Sequence, residues 1–137
     1  MRRQFLLAVV LCVGTSAALA ILPSTEQETQ SALDHPGDSV RGKLVFEHRC
    51  TGCHAMDANR EGPQLRTVYG RKAGSVARFE YSASLLRSGL TWTPATLDQW
   101  LADPDAMVPA NNMSFATPKT EDRRDLIAYL QQAAGNK

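Results

Sequence analysis

The chain carries Cys50-Thr51-Gly52-Cys53-His54, two thiols three positions apart with an imidazole directly after the second. Each thiol can add across one vinyl group of a porphyrin, and the next residue then brings an imidazole beneath the iron. The pentapeptide therefore predicts one covalently attached haem c, bound through Cys50 and Cys53, with His54 as an axial ligand of the metal.

A Cys-x-x-Cys pair also occurs in zinc sites, in redox-active dithiols and in disulfides. A zinc site needs four ligands, but the sequence has neither a second such pair nor a His-x-x-x-His pair downstream. A redox dithiol is expected near a βαβ pattern, and the chain shows no such alternation. Neither alternative explains the adjacent His54, so haem attachment is the interpretation that accounts for all three side chains.

The bulk composition agrees with a small haem protein. The 137 residues suffice for one modest domain, and a formal net charge of +1 gives no indication of a nucleic-acid-binding surface. Aromatic residues are few, at 7% of the chain. A central haem would supply apolar surface that a domain of this size otherwise lacks.

The N-terminus has the pattern of an export signal. Arg2 and Arg3 give a positive start, an apolar stretch covers residues 5–13, and residues 18–20 read Ala-Leu-Ala, as at a signal-peptide cleavage site. These features predict a signal peptide over residues 1–20. The remainder of the chain is then expected in the periplasm of a bacterium.

The fate of this leader is open from the sequence. The apolar run continues through residue 22 and reaches about 18 residues, the lower limit for a membrane-spanning helix. An uncleaved leader would anchor the protein to the inner membrane, with its domain facing the periplasm. Residues 21–37 are polar, contain Pro23 and Pro36, and show no clear periodicity. They are predicted to form a flexible linker before a domain over residues 38–137.

Two helices are predicted near the ends of this domain. The first covers residues 39–49, with Asp38 as N-cap, and its apolar face is formed by Val40, Leu44, Val45 and Phe46. Gly42 is a poor helix former, and a close helix–helix contact would explain its presence. The last helix begins with Thr120 as N-cap, and its buried stripe consists of Leu126, Ile127, Tyr129, Leu130 and Ala133.

Short helices and long loops are predicted between these two. One short helix is expected at residues 82–88, and another begins at Pro94 after the N-cap Thr93 and stops at Pro104. Residues 104–119 are predicted to form a loop. No strand pattern is present, so the fold class is all-α.

The second axial position of the iron has several candidate ligands. His48 is two residues before the first cysteine, and Met56 follows His54 too closely to reach across the ring; His35 lies in the linker. Met107 and Met113 remain, and their positions do not choose between them. An open sixth position is a further alternative.

Further motifs are spread along the domain: Gly42-x-x-x-Phe46, Gly62-Pro63-x-Leu65, Tyr69-Gly70-Arg71-Lys72, Thr91-Trp92, Pro109-x-x-x-Met113-x-Phe115-Ala116 and Leu126-Ile127-Ala128-Tyr129-Leu130. With the haem pentapeptide, they resemble a class I cytochrome c of the mitochondrial and alphaproteobacterial type over about residues 37–134. The resemblance implies that family's fold, in which the N- and C-terminal helices cross and short helices and long loops surround a covalent haem.

The resemblance also implies roles for individual residues. It assigns Met113 as the sixth ligand, so that His54 and Met113 both bind the metal. It makes the carbonyl of Pro63 the acceptor of a hydrogen bond from the His54 imidazole. A buried haem propionate is expected to contact Arg71, Tyr81 and Trp92.

The implied function is that of an exported monohaem cytochrome in a respiratory chain. It would be a monomer without enzymatic activity that carries single electrons between larger redox complexes. Its expected partners are membrane oxidoreductase complexes or periplasmic dehydrogenases that dock transiently at the haem edge, and no nucleic acid is expected.

Two alternative functions remain open. One is a ligand-binding or peroxidase-type haem protein with an open or labile sixth position. The other is a dedicated cytochrome subunit of a dehydrogenase or oxidase complex. The ring of lysines typical of the family is thin here, with Lys43, Lys72, Lys119 and Lys137. This departure bears on the partner rather than on electron transfer.

Overall fold

The computed structural model describes residues 36–135, so the predicted signal peptide and most of the predicted linker lie outside the described residues. Five helices lie within this range: α1 (Ser39–Arg49), α2 (Ala83–Arg87), α3 (Pro94–Ala102), α4 (Pro104–Met107) and α5 (Thr120–Gly135). Residues 36–135 contain no strand, and one isolated antiparallel bridge joins Lys72 to Thr91. The predicted all-α fold class is confirmed.

The start of α1 is fixed by the cap that the sequence predicts. The Asp38 carboxylate accepts hydrogen bonds from the backbone N–H groups of Val40 and Arg41, at 2.8 and 3.1 Å. The hydrogen bonds from Arg41 and Val40 hold the pKa of Asp38 below its usual value, because they stabilise the charged carboxylate. At its other end α1 leads directly into Cys50.

The crossing of α1 and α5 brings two backbones into contact. A Cβ atom at Gly42 would lie 1.9 Å from the backbone oxygen of Asp125, so no larger residue fits there without separating the helices. One turn further along α1, the ring of Phe46 packs against that of Tyr129, with 5.6 Å between their centroids. The close contact predicted from Gly42 is therefore present.

The apolar face predicted for α1 is only partly correct. Phe46 is buried, but Val40 is 73% exposed and Leu44 is 51% exposed. The reason lies in the short distance between the helices. A contact made by a glycine and one aromatic ring leaves no room for a broad apolar stripe.

Two predicted boundaries differ in the structure. Pro104 does not simply end α3, because it also begins α4, whose N-cap Asp103 accepts a hydrogen bond from the N–H of Ala106 at 3.0 Å. Proline suits the first position of a helix, because an N–H at that position would have no hydrogen-bond partner within the helix. Thr120 is the first residue of α5 rather than its N-cap, and its hydroxyl accepts a hydrogen bond from the Arg123 side chain at 3.2 Å.

The core side chains surround a cavity and do not fill the interior completely. Its buried side chains come from four of the helices and from the loops between them: Phe46, Val68, Ala73, Leu85, Trp92, Leu97, Trp100, Leu101, Val108, Leu126, Ile127 and Leu130. Many of them also face one cavity, described below. No helix within residues 36–135 combines the length and apolar character needed to cross a membrane.

Candidate cofactor site

A cavity of about 350 Å³ opens beside the C-terminal end of α1. All the site residues that the sequence singled out contribute to its lining: Cys50, Cys53, His54, Pro63, Arg71, Tyr81, Trp92 and Met113. Apolar side chains form much of the remaining wall, among them Leu65, Leu85, Leu97, Leu101 and Leu126. The structure therefore brings the predicted residues together in one largely apolar site.

One turn of chain after α1 presents both thiols and the imidazole. The carbonyl oxygen of Cys50 accepts hydrogen bonds from the N–H groups of Cys53 and His54, at 3.1 and 2.8 Å. Cys50 is half-buried and Cys53 is exposed. Burial raises the pKa of the Cys50 thiol to about 11. Because the thiolate is the nucleophile, covalent attachment is easier before the cavity closes around this side chain.

His54 is held against the segment of Gly62 and Pro63. Its Nδ1–H donates a hydrogen bond to the Pro63 carbonyl oxygen at 2.8 Å. A Cβ atom at Gly62 would lie 2.1 Å from Cε1 of the ring, so glycine lets the backbone close over the imidazole. Burial lowers the pKa of His54 and outweighs the opposing effect of the Pro63 hydrogen bond. The ring is therefore neutral, with Nε2 available as a metal ligand.

A short backbone pairing forms the wall that holds Arg71 and Trp92. The N–H of Trp92 donates to the carbonyl of Arg71 at 2.9 Å, and the N–H of Gly70 donates to the carbonyl of Trp92 at 2.8 Å. Tyr81 lines the same cavity. Burial raises the pKa of Tyr81, while a backbone hydrogen bond with Val76 and the charge of Arg71 act in the opposite direction.

Arg71 provides a test of whether a haem fits this cavity. Its Nη1 and Nη2 donate to Thr67 Oγ1 at 3.2 Å and to the Gln64 carbonyl at 3.1 Å. Its buried Nε has no hydrogen-bond partner within residues 36–135, and burial lowers the pKa of this guanidinium. An anionic acceptor at Nε would offset both effects. The lining thus fits a cofactor that is mostly apolar and carries a carboxylate, as haem does.

Met113 lies on the cavity wall with both its backbone and its sulfur held. Its N–H donates to Asn111 Oδ1 at 2.6 Å, and the indole Nε1–H of Trp100 donates to Met113 Sδ at 3.2 Å. The other methionines of the described residues, Met56 and Met107, pack against the core without lining the cavity. Among the described methionines, Met113 is the one that lines the cavity.

Three residues support the site in ways that the sequence does not predict. Trp100 lies in the helix that begins at Pro94, and a buried indole N–H needs an acceptor, but no local pattern identifies Met113 as that acceptor. Asn111 lies in a segment predicted only as a loop, and it accepts the hydrogen bond from the Met113 N–H. Arg123 lies outside the cavity lining and donates to the carbonyl of the lining residue Thr117, although a charged residue in the first turn of a helix is usually exposed.

Comparison with known proteins matches this geometry. The sequence model of the family described as cytochrome c covers residues 39–134. The chain belongs to the cytochrome c family. This cytochrome c is 41% identical over 98 residues to cytochrome c 2.1 of Caenorhabditis elegans, across 69% of this chain and 88% of that protein. It is 40% identical over 101 residues to cytochrome c of Chlamydomonas reinhardtii, across 71% of this chain and 90% of that one.

A solved structure also resembles this chain in both fold and sequence. Cytochrome cH from Methylobacterium extorquens aligns with this cytochrome c at a TM-score of 0.67 and 41% sequence identity, across 70% of this chain and 99% of that chain. The expected fold is thereby confirmed. As a family member, this cytochrome c is a monohaem electron carrier, and its haem c is covalently attached at the Cys50 and Cys53 pair.

Proposed function

We propose that this cytochrome c is exported, that His54 and Met113 hold its haem iron, and that it shuttles single electrons between larger redox complexes. One observation carries the proposal: a neutral imidazole and a thioether line the same cavity, and each is held by a hydrogen bond of its own. The bound haem supplies a one-electron couple, and a thioether ligand raises its potential.

The surrounding residues each have a defined task in this proposal. The Pro63 carbonyl fixes the tautomer and the orientation of the His54 ring. Arg71, Tyr81 and Trp92 would hold a haem propionate, and the buried Nε of Arg71 is available to donate to it. The apolar walls exclude water, which limits rearrangement around the iron when its charge changes.

We propose no enzymatic role for this site. A peroxidase-type reaction needs an acid or base placed beside an open iron. In the part of the chain that the structure describes, His54 is the one histidine in the cavity lining, and its Nδ1–H is already engaged by Pro63. Glu61 and Glu80 also line the cavity, so the proposal rests on Met113, which would occupy the sixth position of the iron and leave no open site for a peroxide.

The first test is the absorption spectrum of the ferric holoprotein, compared with Met113→Ala and with Met107→Ala as the matched control. We expect a weak far-red sulfur-to-iron band in the unmutated protein and in Met107→Ala, and its loss in Met113→Ala. Loss in Met107→Ala alone would reassign the ligand. A high-spin ferric spectrum of the unmutated protein, with ready binding of cyanide or CO, would favour the ligand-binding or peroxidase-type alternative.

Export is proposed on the sequence pattern of residues 1–20, with residues 21–37 as a linker and residues 38–137 as the cytochrome domain. The test is the intact mass of the haem protein recovered from the periplasmic fraction of a bacterium that expresses the full chain. Cleavage after residue 20 supports a soluble periplasmic carrier. An intact leader in the membrane fraction would support the anchored form instead.

The partners are proposed to be membrane oxidoreductase complexes or periplasmic dehydrogenases that dock transiently, with no nucleic acid. Cys53 and Phe115 line the cavity and are exposed, which gives such a partner access to one edge of the haem. The carrier is expected to elute as a monomer in size-exclusion chromatography. Stable co-elution with a single complex would support the dedicated-subunit alternative.

A further inference from the structure

The segment that carries Met113 has little regular structure of its own. This ligand loop, residues 108–119, runs between α4 and α5. Near its beginning, the Ser84 hydroxyl donates to the Ala110 carbonyl at 2.7 Å, and the Asn111 amide donates to the Val108 carbonyl at 3.0 Å. Its other end is held by a backbone hydrogen bond to α3 and by one side chain of α5.

That side chain is Arg123, which is only 8% exposed. Its Nη1 donates to the carbonyl oxygens of Thr117 and Pro118, at 3.1 and 2.8 Å. Its Nε donates to Asp98 Oδ1 at 2.7 Å. One buried guanidinium therefore ties the end of the ligand loop to both α5 and α3.

The tie reaches the sulfur of Met113 through α3. Asp98 lies on the same helix as Trp100, whose indole donates to Met113 Sδ. The loop end is also attached to this helix directly, because the Thr117 N–H donates to the Leu101 carbonyl at 2.6 Å. Arg123 thus joins the loop to the helix that holds the sulfur.

Opening of the ligand loop would break two hydrogen bonds from the Arg123 guanidinium to the carbonyl oxygens of Thr117 and Pro118. Hydrogen bonds from a charged donor contribute more than neutral ones, so Arg123 opposes opening. We infer that Arg123 is a positioning residue for the sixth ligand, which keeps the ligand loop closed and slows the exchange of Met113 for external ligands. This inference rests on the proposed ligation by Met113.

The experiment measures the rate at which cyanide binds to the ferric holoprotein, because cyanide can bind only when Met113 has left the iron. Arg123→Met removes the hydrogen bonds while keeping an unbranched apolar stem. We expect the rate to rise about tenfold, as for the loss of one charge-assisted hydrogen bond. Arg124→Met is the matched control, because this neighbouring arginine on α5 makes none of the hydrogen bonds described for Arg123. The cyanide-binding rate of Arg124→Met should equal that of the unmutated protein.

A second control separates positioning from general stability. Asp125→Ala weakens the α1–α5 crossing without touching the ligand loop, so it should lower the unfolding midpoint and leave the cyanide rate unchanged. If Arg123→Met does not fold, Arg123→Lys serves instead. Lysine keeps the positive charge but cannot reproduce the planar set of N–H donors of a guanidinium. We therefore expect a smaller rise in the cyanide-binding rate than in Arg123→Met.

The outcomes are distinct. A cyanide rate in the Arg123 variants equal to that of the unmutated protein, with the far-red band present, overturns the inference and leaves the proposed function intact. An equal rise in the cyanide-binding rate of Asp125→Ala also overturns the inference, because a general loss of stability would then explain the faster binding. Absence of the far-red band from the unmutated protein overturns the ligation by Met113 and the inference together.

Discussion

The α1–α5 crossing and the ligand loop shape the same cavity by different means. At the crossing, backbone meets backbone at Gly42, which does not line the cavity. In the ligand loop, isolated side-chain hydrogen bonds replace a regular backbone pattern, and Met113 is held by Asn111 and Trp100. The comparison shows a rigid helical contact that defines the domain and an irregular loop that adapts one side chain to the cofactor.

Polar contacts reinforce the crossing as well. The buried carboxylate of Asp125 accepts hydrogen bonds from the Asp38 N–H at 2.7 Å, from Arg41 Nε at 2.7 Å and from Arg41 Nη2 at 3.1 Å. It therefore joins α5 to both the cap and the first turn of α1. Such a set of contacts leaves a single register for the two helices.

The largest expected effect comes from filling the contact at Gly42. Gly42→Val places its side chain against the Asp125 backbone, which cannot move without separating the helices, so we expect a loss of ~3 kcal/mol in the free energy of unfolding. Denaturant unfolding of the holoprotein measures it. Gly135→Ala is the control, because a Cβ atom there meets no atom within 4 Å. Equal midpoints for Gly42→Val and the unmutated protein would disprove a rigid crossing.

The next effect tests the polar part of the crossing. Asp125→Ala removes the acceptor of three hydrogen bonds, and we expect a loss of ~2 kcal/mol in the free energy of unfolding. Asp122→Ala is the control on the same helix, since its carboxylate lies 3.9 Å from Arg49 Nη2 nearer the surface and should contribute less than ~1 kcal/mol. Similar losses of unfolding free energy in the two variants would show that the burial of Asp125 does not increase stability.

A smaller effect is expected on the side of the ligand loop. Trp100→Phe removes the N–H that donates to Met113 Sδ. With Met113 as the proposed sixth ligand, the sulfur would then give more electron density to the iron, which favours the ferric state. We expect a reduction potential lower by about 40 mV, the one-electron equivalent of ~1 kcal/mol. Potentiometric titration of the holoprotein measures the shift. An unchanged or higher potential would show that this hydrogen bond does not tune the ligand.

The smallest effect concerns the cap of α1 and its dependence on pH. The pKa of Asp38 is lowered in the folded chain, so its stabilising effect is present above the ordinary pKa, near ~4, and is lost as the pH falls through the lowered value. Asp38→Asn still caps the helix but does not titrate. Acidification should therefore reduce the unfolding midpoint less in Asp38→Asn than in the unmutated protein. Equal reductions would contradict this assignment.

Local signals in the sequence predicted the crossing better than the loop. The cap at Asp38 and the hydrogen-bonded turn of the Cys-x-x-Cys-His motif depend on neighbouring residues, and the cap is found where it was predicted. Gly42 indicated a close contact because glycine is a poor helix former, and that contact is present. The exposure of Val40 could not be predicted, because it depends on the distance between two helices. The burial of Arg123 likewise depends on the path of a loop that has no periodicity.

The crossing also has a consequence for the order of events during the proposed export. It joins Asp38 to Asp125, 87 residues further along the chain, so it forms only after both segments have crossed the membrane. An exported chain that crosses N-terminus first would present Cys50 and Cys53 before α5 arrives, while both thiols are still accessible to the machinery that attaches haem. The burial that raises the pKa of the Cys50 thiol would follow once the domain closes, so attachment can precede folding.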